Sequence, residues 1–239
     1  MILMKSRKML KKTVNNFRIA FPRRSYALND LDLKLLSFVN CRGGFFIEVG
    51  ANDGIKQSNT LFYEKHLGWN GLLIEAIPQL ANQCKKNRPK CIVENCALVS
   101  VDYLSDTIEM QYNDLMSIVK GVFENEDEEK QYISLGEKFL QNQQHTFIIS
   151  VPAKTLSSVI TSKGIAKIDL LSLDVEGYEA EVLKGIDFTR HTPFYILVEV
   201  WHEKKQVIDT LLSLYYDQVS VLNTNNMFSD ILYKLKAVN

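Results

Sequence analysis

The sequence predicts an α/β fold in which helices cover both faces of one mostly parallel sheet. Three observations predict it. Short apolar runs alternate with helical segments of about ten residues, a glycine-containing loop follows the first buried run, and two strand-like runs joined by a polar turn end the chain. With 239 residues, 46% of them hydrophobic, the chain suffices for one large domain, which we place at residues 31–239.

After a first helix, the first half of this region has the predicted pattern β-α-β-α-β. The predicted elements are a helix at residues 31–38, a strand at 45–49, a helix at 59–67, a strand at 71–75, a helix at 78–87 and a strand at 91–95. Strands that alternate with helices are joined by right-handed crossovers, so we expect these strands to be parallel.

The middle of the chain, residues 102–154, breaks the alternation. Residues 107–112 and 146–151 alternate apolar and polar side chains as strands do. Between them, residues 124–130 contain five acids, which form either a solvated loop or helix end, or a mobile lid over a substrate. We expect residues 102–154 to be an inserted segment.

Regular alternation returns after the insert. The predicted elements are a helix at residues 156–162, a strand at 168–175, a helix at 178–184, a strand at 194–200, a helix at 204–214 and a hairpin of strands at 218–222 and 228–235. Such a hairpin adds an antiparallel strand to the sheet. Ordinary doubly wound nucleotide-binding folds usually end in a parallel strand.

Charge is distributed unevenly along the chain. Lys plus Arg and Asp plus Glu both number 28, a balance that argues against a nucleic-acid partner. Residues 1–30, however, hold eight basic residues and one acid, and this basic arm either packs on the domain, is disordered, or contacts a membrane or another anionic surface. We expect a cytoplasmic protein, because no apolar run suits a signal or a membrane span.

A loop of small residues follows the first predicted strand. Gly50 and Gly54 let the backbone turn sharply and approach a ligand, and the next helix start offers free N–H groups. The Gly-x-Gly-x-x-Gly pattern of dinucleotide sites is absent, because residue 52 is Asn. Glu48 and Asp53 would repel a phosphate but suit the ammonium and sulfonium charges of S-adenosylmethionine.

The ends of the next two strands extend this candidate cofactor site. Glu75 can accept hydrogen bonds from both hydroxyls of a ribose, and the third strand ends where an adenine ring would lie. The expected cofactor-binding residues are Glu48, Gly50, Ala51, Asn52, Asp53, Gly54, Ser58, Asn59, Thr60, Glu75, Ala76, Asn95, Cys96, Ala97 and Asp174.

Taken together, these stretches resemble the FkbM-type methyltransferases. The matching residues are 46–54, 58–60, 71–76, 95–98, 168–179 and 182–188. The resemblance implies a class I methyltransferase fold, with S-adenosylmethionine as the methyl donor and a hydroxyl of a sugar, glycan or natural product as the acceptor. The basic arm and the acidic middle lie outside it.

Further acids and a histidine follow the later strands, where open α/β sheets place ligands. A hydroxyl acceptor needs a base or a metal to lose its proton. In one alternative His202 is the general base, and Asp174 and Glu199 orient the reactants. In the other, Asp174, Glu176 and Glu199 bind Mg²⁺ or another divalent cation.

Two other functional classes are compatible with parts of this pattern. One is an oxidoreductase that binds NAD or a nucleotide sugar on a related fold, although the third glycine of its loop is missing. The other is a non-catalytic interaction module that retains the S-adenosylmethionine fold and uses its basic arm. Loss of S-adenosylmethionine binding would favour the second.

Overall fold

The computed structural model describes residues 24–123, 125–140 and 145–237. Residues 1–23 of the basic arm, on which the three alternatives for the arm mainly depend, lie outside these ranges. Within them, no helix combines the length and the apolar character that crossing a membrane requires.

The first half folds as the alternation predicts. Its elements are α1 (Leu31–Leu35), β1 (Phe45–Val49), α2 (Leu61–Leu67), β2 (Asn70–Ile74), α3 (Pro78–Asn87) and β3 (Ile92–Glu94). Pro78 begins α3, where its fixed φ suits the first helical turn and its missing N–H costs nothing. The largest differences from the sequence-based bounds are at α1, which ends three residues earlier, and α2, which begins two residues later.

The insert, together with a short strand that precedes it, forms a second, smaller sheet. Its elements are β4 (Ala97–Leu98), β5 (Thr107–Tyr112), β6 (Ile118–Val119), α4 (Glu126–Gly136) and β7 (Phe147–Lys154), and the strand order is β4-β7-β5-β6. Strands β5 and β7 confirm the two strands predicted in the insert, and burial alternates along β5. The four acids at residues 126–129 lie in the first turn of α4, as the helix-end alternative predicts. Asn125 caps α4 by accepting the N–H of Asp127 at 2.8 Å, and acids in a first turn interact favourably with the helix dipole.

The second half completes the large sheet. Its elements are α5 (Leu156–Ser162), β8 (Leu170–Leu173), α6 (Glu179–Lys184), β9 (Tyr195–Trp201), α7 (Lys205–Leu212), β10 (Tyr216–Thr224) and β11 (Phe228–Leu235). The terminal hairpin of β10 and β11 is antiparallel, as the sequence predicts.

The seven strands of the large sheet lie in the order β10-β11-β9-β8-β1-β2-β3. Strands β3, β2, β1, β8 and β9 are parallel, and β11 is antiparallel to β9. Side chains of β1 alternate between two cores, with Ile47 and Val49 on one face and Phe46 on the other. This mostly parallel sheet with an antiparallel hairpin, covered on both faces, is the arrangement that the sequence predicts, and it brings the carboxyl ends of its parallel strands to one edge.

Candidate functional site

A cavity of about 390 Å³ opens at the carboxyl ends of β1, β2, β8 and β9. One side is formed by the loop after β1 and the end of β2, and another by residues of the insert. Of the expected cofactor residues, eleven line it: Glu48, Gly50, Ala51, Asn52, Ser58, Asn59, Glu75, Ala76, Cys96, Ala97 and Asp174.

Gly50 allows the loop after β1 to pass close to β8. A Cβ at this position would lie 1.8 Å from the backbone oxygen of Asp174, and the residue has a φ of +80°. The N–H groups of Gly50 and Ala51 both donate to the carbonyl of Ile74, at 3.0 and 3.2 Å. The loop is therefore bent over the end of β2, and only glycine fits its first position.

The carboxylate of Glu48 is occupied by its own chain. It accepts hydrogen bonds from the hydroxyls of Ser58 and Thr60 and from the N–H of Asn59, at distances of 2.6 to 3.0 Å. The side chain of Arg88, which is fully buried, lies 3.7 Å away. The expectation that Glu48 faces a cofactor ammonium is therefore corrected: its carboxylate holds the start of α2 in place.

Four of the expected cofactor residues do not line the cavity: Asp53, Gly54, Thr60 and Asn95. Asp53 accepts the backbone N–H groups two and three residues ahead of it, each at 2.8 Å, and so closes a turn. Asn95 donates to the two carbonyls that follow β2, each at 2.8 Å. Gly54 packs against Arg88. These residues support the loops around the cavity but do not line it.

Glu75 lies at the end of β2 and lines the cavity. Its two oxygens accept the backbone N–H groups of Asn52 and Ile77, each at 2.8 Å. Burial raises the pKa of Glu75 to about 7, although both N–H groups oppose this rise. Each oxygen retains a lone pair, so the carboxylate can accept two further hydrogen bonds.

Three carboxyl groups converge at the ends of β8 and β9. One oxygen each of Asp174, Glu176 and Glu199 lies within 4.8 Å of the others. Burial and mutual repulsion raise the pKa of Asp174 well above its ordinary value and that of Glu199 to about 12, and burial raises the pKa of Glu176 to about 7. Among the ion pairs of residues 24–123, 125–140 and 145–237, none involves these three acids.

An aromatic wall adjoins these carboxyl groups. The rings of Phe123, Tyr132 and Trp201 lie with centroids 5.2 to 5.4 Å apart. The Tyr132 hydroxyl donates to Glu176, and the Trp201 indole N–H donates to Glu199 at 3.3 Å. Tyr132 and Trp201 line the cavity, so this part of it offers flat apolar surface beside polar oxygens.

His202 does not reach the cavity, which corrects its expected place facing the acceptor. The side chain is exposed, and its Nε2 lies 3.2 Å from the hydroxyl oxygen of Ser229 on β11. Successive side chains along β9 alternate in direction, so Glu199 and Trp201 face the cavity and the residue that follows them points away.

Asp114 and Tyr132 are among the cavity residues of the insert that sequence reasoning missed. Asp114 is 4% exposed and accepts hydrogen bonds from Asn52 at 3.2 Å and Lys56 at 3.1 Å. Both residues come to the cavity through contacts with distant parts of the chain, which local patterns do not encode. The sequence offered one signal: Asp114 comes two residues after the end of the strand predicted at 107–112.

Comparison with known protein families identifies one family whose model this chain matches. Residues 48–237 match a family model described as the methyltransferase FkbM domain. A search of curated protein sequences returned no match.

Solved structures with a similar chain trace include several methyltransferases. A methyltransferase FkbM from Methylobacillus flagellatus KT is 13% identical, with 88% of this chain and 48% of that chain covered and a TM-score of 0.48. A SAM-dependent methyltransferase from Aquifex aeolicus is 10% identical, with 87% and 90% covered and a TM-score of 0.47. A ribosomal protein L11 methylase from Lactobacillus delbrueckii subsp. bulgaricus is 8% identical, with 87% and 78% covered and a TM-score of 0.49.

Proposed function

Because the chain belongs to the FkbM methyltransferase family, we propose that it transfers the methyl group of S-adenosylmethionine to a hydroxyl oxygen of a sugar, glycan or natural-product acceptor. One observation carries the choice of acceptor. The carboxyl groups of Asp174, Glu176 and Glu199 share one cavity with the Gly50 loop and with two rings of the aromatic wall, Tyr132 and Trp201. Carboxyl groups bind hydroxyls, and aromatic faces pack on the C–H groups of a sugar ring.

The polar groups of the cavity fit S-adenosylmethionine. The side-chain oxygen of Asn59 is buried and, in the part of the chain that the structure describes, accepts no hydrogen bond, so it can receive an ammonium N–H. Glu75 has free lone pairs for ribose hydroxyls. The acids near Asp174 have no basic ion-pair partner in that same part, which suits a ligand with a sulfonium and an ammonium charge.

The residues of the site act mainly by orientation. When bound, S-adenosylmethionine supplies a methyl group already activated by its sulfonium. The Gly50 loop and Glu75 would hold the amino-acid and nucleoside ends of the cofactor, and Asp174 lies beside that loop. The aromatic wall aligns the acceptor oxygen with that methyl group and excludes water, and such alignment accounts for much of the rate in a displacement of this kind.

Removal of the acceptor's proton is assigned to the carboxyl groups. As the acceptor oxygen formed its bond to the methyl carbon, the bond from that carbon to sulfur would break and S-adenosylhomocysteine would leave. The acceptor's proton would pass to a carboxylate of the cluster, and we place Asp174 there, beside the Gly50 loop. The same three carboxylates could instead hold a divalent cation that lowers the pKa of the hydroxyl. Activity that survives exhaustive EDTA treatment would exclude the cation. Activity that is lost and then restored by Mg²⁺ would exclude an unaided base.

A turnover assay tests the proposed reaction. The purified chain is incubated with S-adenosylmethionine and with panels of glycans, nucleotide sugars and small alcohols, and release of S-adenosylhomocysteine is measured. We expect turnover with at least one carbohydrate or alcohol, and a methyl ether in the product. Turnover only with amines or thiols would contradict O-methylation. Absence of both S-adenosylmethionine binding and turnover would favour the non-catalytic alternative.

A further inference from the structure

The insert touches the cofactor loop through one buried acid. Asp114 begins a short 3₁₀ turn, Asp114–Met116, directly after β5. One oxygen of its carboxylate accepts the side-chain N–H of Asn52 at 3.2 Å, and the other accepts the ammonium of Lys56 at 3.1 Å. Both donors belong to the loop that follows β1, so Asp114 joins the insert to that loop.

The backbone is unusual on both sides of this contact. Asn52 has a φ of 48° and Asp114 a φ of 50°, in the left-handed region that residues other than glycine seldom occupy. Such conformations persist where surrounding contacts hold them, and they cluster at ligand clamps. Here the backbone N–H of Asn52 is held by Glu75, and its side-chain oxygen accepts the next N–H along the chain, each at 2.8 Å.

The turn that carries Asp114 is fixed to α4. The side chain of Asn113 is fully buried and donates to the carbonyl of Ile133 at 2.8 Å. A Cβ on Gly136 would lie 1.9 Å from the same amide nitrogen, so the helix and the turn are packed without a gap. The position of Asp114 is thus set by the whole insert.

Asp114 also lies near the ribose-binding candidate. It lines the cavity with Glu75, and its negative charge is one of the causes that raise the pKa of Glu75. A carboxylate can accept about four hydrogen bonds, and Asp114 uses two of them. Two buried carboxylates side by side select a ligand that offers O–H or N–H donors and no negative charge, because a phosphate would be repelled.

We propose that Asp114 is a cofactor-binding residue, which the insert supplies to the nucleoside half of S-adenosylmethionine. Its carboxylate accepts a hydrogen bond from a ribose hydroxyl or from the adenine amino group, while its bonds to Asn52 and Lys56 keep the loop in its binding conformation. The inference rests on the proposed function, since it names a contact within that cofactor site.

Calorimetric titration of two ligands tests the assignment. S-adenosylhomocysteine contains both halves of the cofactor, and 5′-methylthioadenosine contains only the nucleoside half. We expect Asp114→Asn to weaken both by about tenfold or more, because a buried hydrogen bond to a charged group is lost. The matched control, Asp106→Asn, changes an exposed acid of the same insert and should bind both ligands as the wild type does.

Each outcome decides the question. If Asp114→Asn binds both ligands within twofold of the wild type, or weakens S-adenosylhomocysteine alone, Asp114 is not part of the nucleoside site. If the wild type binds neither ligand, the proposed function itself fails, and this inference fails with it. Should the variant not fold, hydrogen exchange of the wild type answers instead. S-adenosylhomocysteine should slow exchange at residues 113–117, and protection confined to residues 50–60 and 75–77 would overturn the inference.

Discussion

Glu75 and Asp174 are both carboxyl groups at strand ends, but different surroundings give them different chemistry. Glu75 meets two backbone N–H groups, which favour its ionised form against burial. Asp174 meets other carboxyl groups, above all Glu176, which disfavour ionisation further. Glu75 is therefore suited to accept hydrogen bonds from a bound nucleoside. Asp174 is suited to respond to a positive charge brought by a ligand.

Binding of S-adenosylhomocysteine should depend on pH through Glu75. The pKa of this carboxyl is raised to about 7, so its ionised form, the better acceptor for ribose hydroxyls, is lost as the pH falls through 7. We expect the dissociation constant to rise by up to about tenfold per pH unit below 7, because ligand binding and deprotonation are linked. Titration calorimetry between pH 6 and 8 measures the slope.

The variant Glu75→Gln is the control for that slope. It cannot ionise, so its affinity should be lower than that of the wild type at pH 8 and flat across the same range. The raised pKa also affects the free protein, since burial of the ionised form costs stability that grows as the pH rises from about 4.3 towards 7. An equal slope in both proteins would assign the pH dependence to another group.

A substitution at Asp174 should lower turnover, whereas a substitution at His202 should leave it unchanged. Asp174→Asn removes the proposed proton acceptor, and we expect the turnover number to fall by roughly 10²- to 10⁴-fold. His202→Ala changes an exposed side chain outside the cavity, so turnover should stay at the wild-type level. Both are measured with the acceptor that the panels identify. A large loss in His202→Ala with full activity in Asp174→Asn would reverse the assignment.

At the scale of elements, periodicity predicts the strands and helices better than it predicts what their ends contact. Alternating side chains locate β5. The alternation of strands and helices predicts the parallel strands, and the polar turn between two strand-like runs predicts the final hairpin. The sequence also shows that Glu48 lies near the end of a buried strand, but a ligand and a helix start are equally good partners for an acid there. The contact that joins Tyr132 to Glu176 spans 44 residues, and no local pattern encodes it.

The hydrogen bond from Tyr132 to Glu176 should make α4 contribute measurably to the stability of the fold. Tyr132→Phe leaves the ring packing but removes the hydroxyl that donates to the buried carboxyl of Glu176. We expect the free energy of unfolding to fall by about 1–3 kcal/mol, the usual cost of such a loss. Urea denaturation measures it.

Tyr103→Phe is the matched control in the same insert. Its hydroxyl donates to a backbone carbonyl in an exposed contact, so the change should cost no more than about 0.5 kcal/mol. Similar losses in the two variants would show that the contact of Tyr132 with Glu176 does not anchor α4.

At the scale of the whole molecule, we propose that residues 31–239 act as one domain and that the basic arm serves a separate purpose. Residues 25–31 bring the chain to the cavity, where Leu28 and Leu31 form part of the wall. The buried carboxylate of Asp32 fixes this approach by accepting the hydroxyl of Ser25 and the N–H of Tyr26, at 2.5 and 2.8 Å. The basic residues of the arm therefore come just before a segment of the chain that forms part of the cavity wall.

We expect residues 1–23 of the arm to hold the enzyme on anionic surfaces without taking part in cofactor binding. Lys8, Lys11 and Lys12 lie in a stretch of the arm without acids, and each basic residue near an anionic membrane contributes roughly 1 kcal/mol of attraction. Changing these three to Gln in the full chain should strongly reduce cosedimentation with vesicles that contain phosphatidylserine, and should leave the affinity for S-adenosylhomocysteine unchanged. The control changes three exposed lysines of the body, Lys85, Lys86 and Lys90, to Gln. Equal vesicle binding by the two variants would show that net charge alone, and not the arm, attracts the protein, because both lose the same three charges.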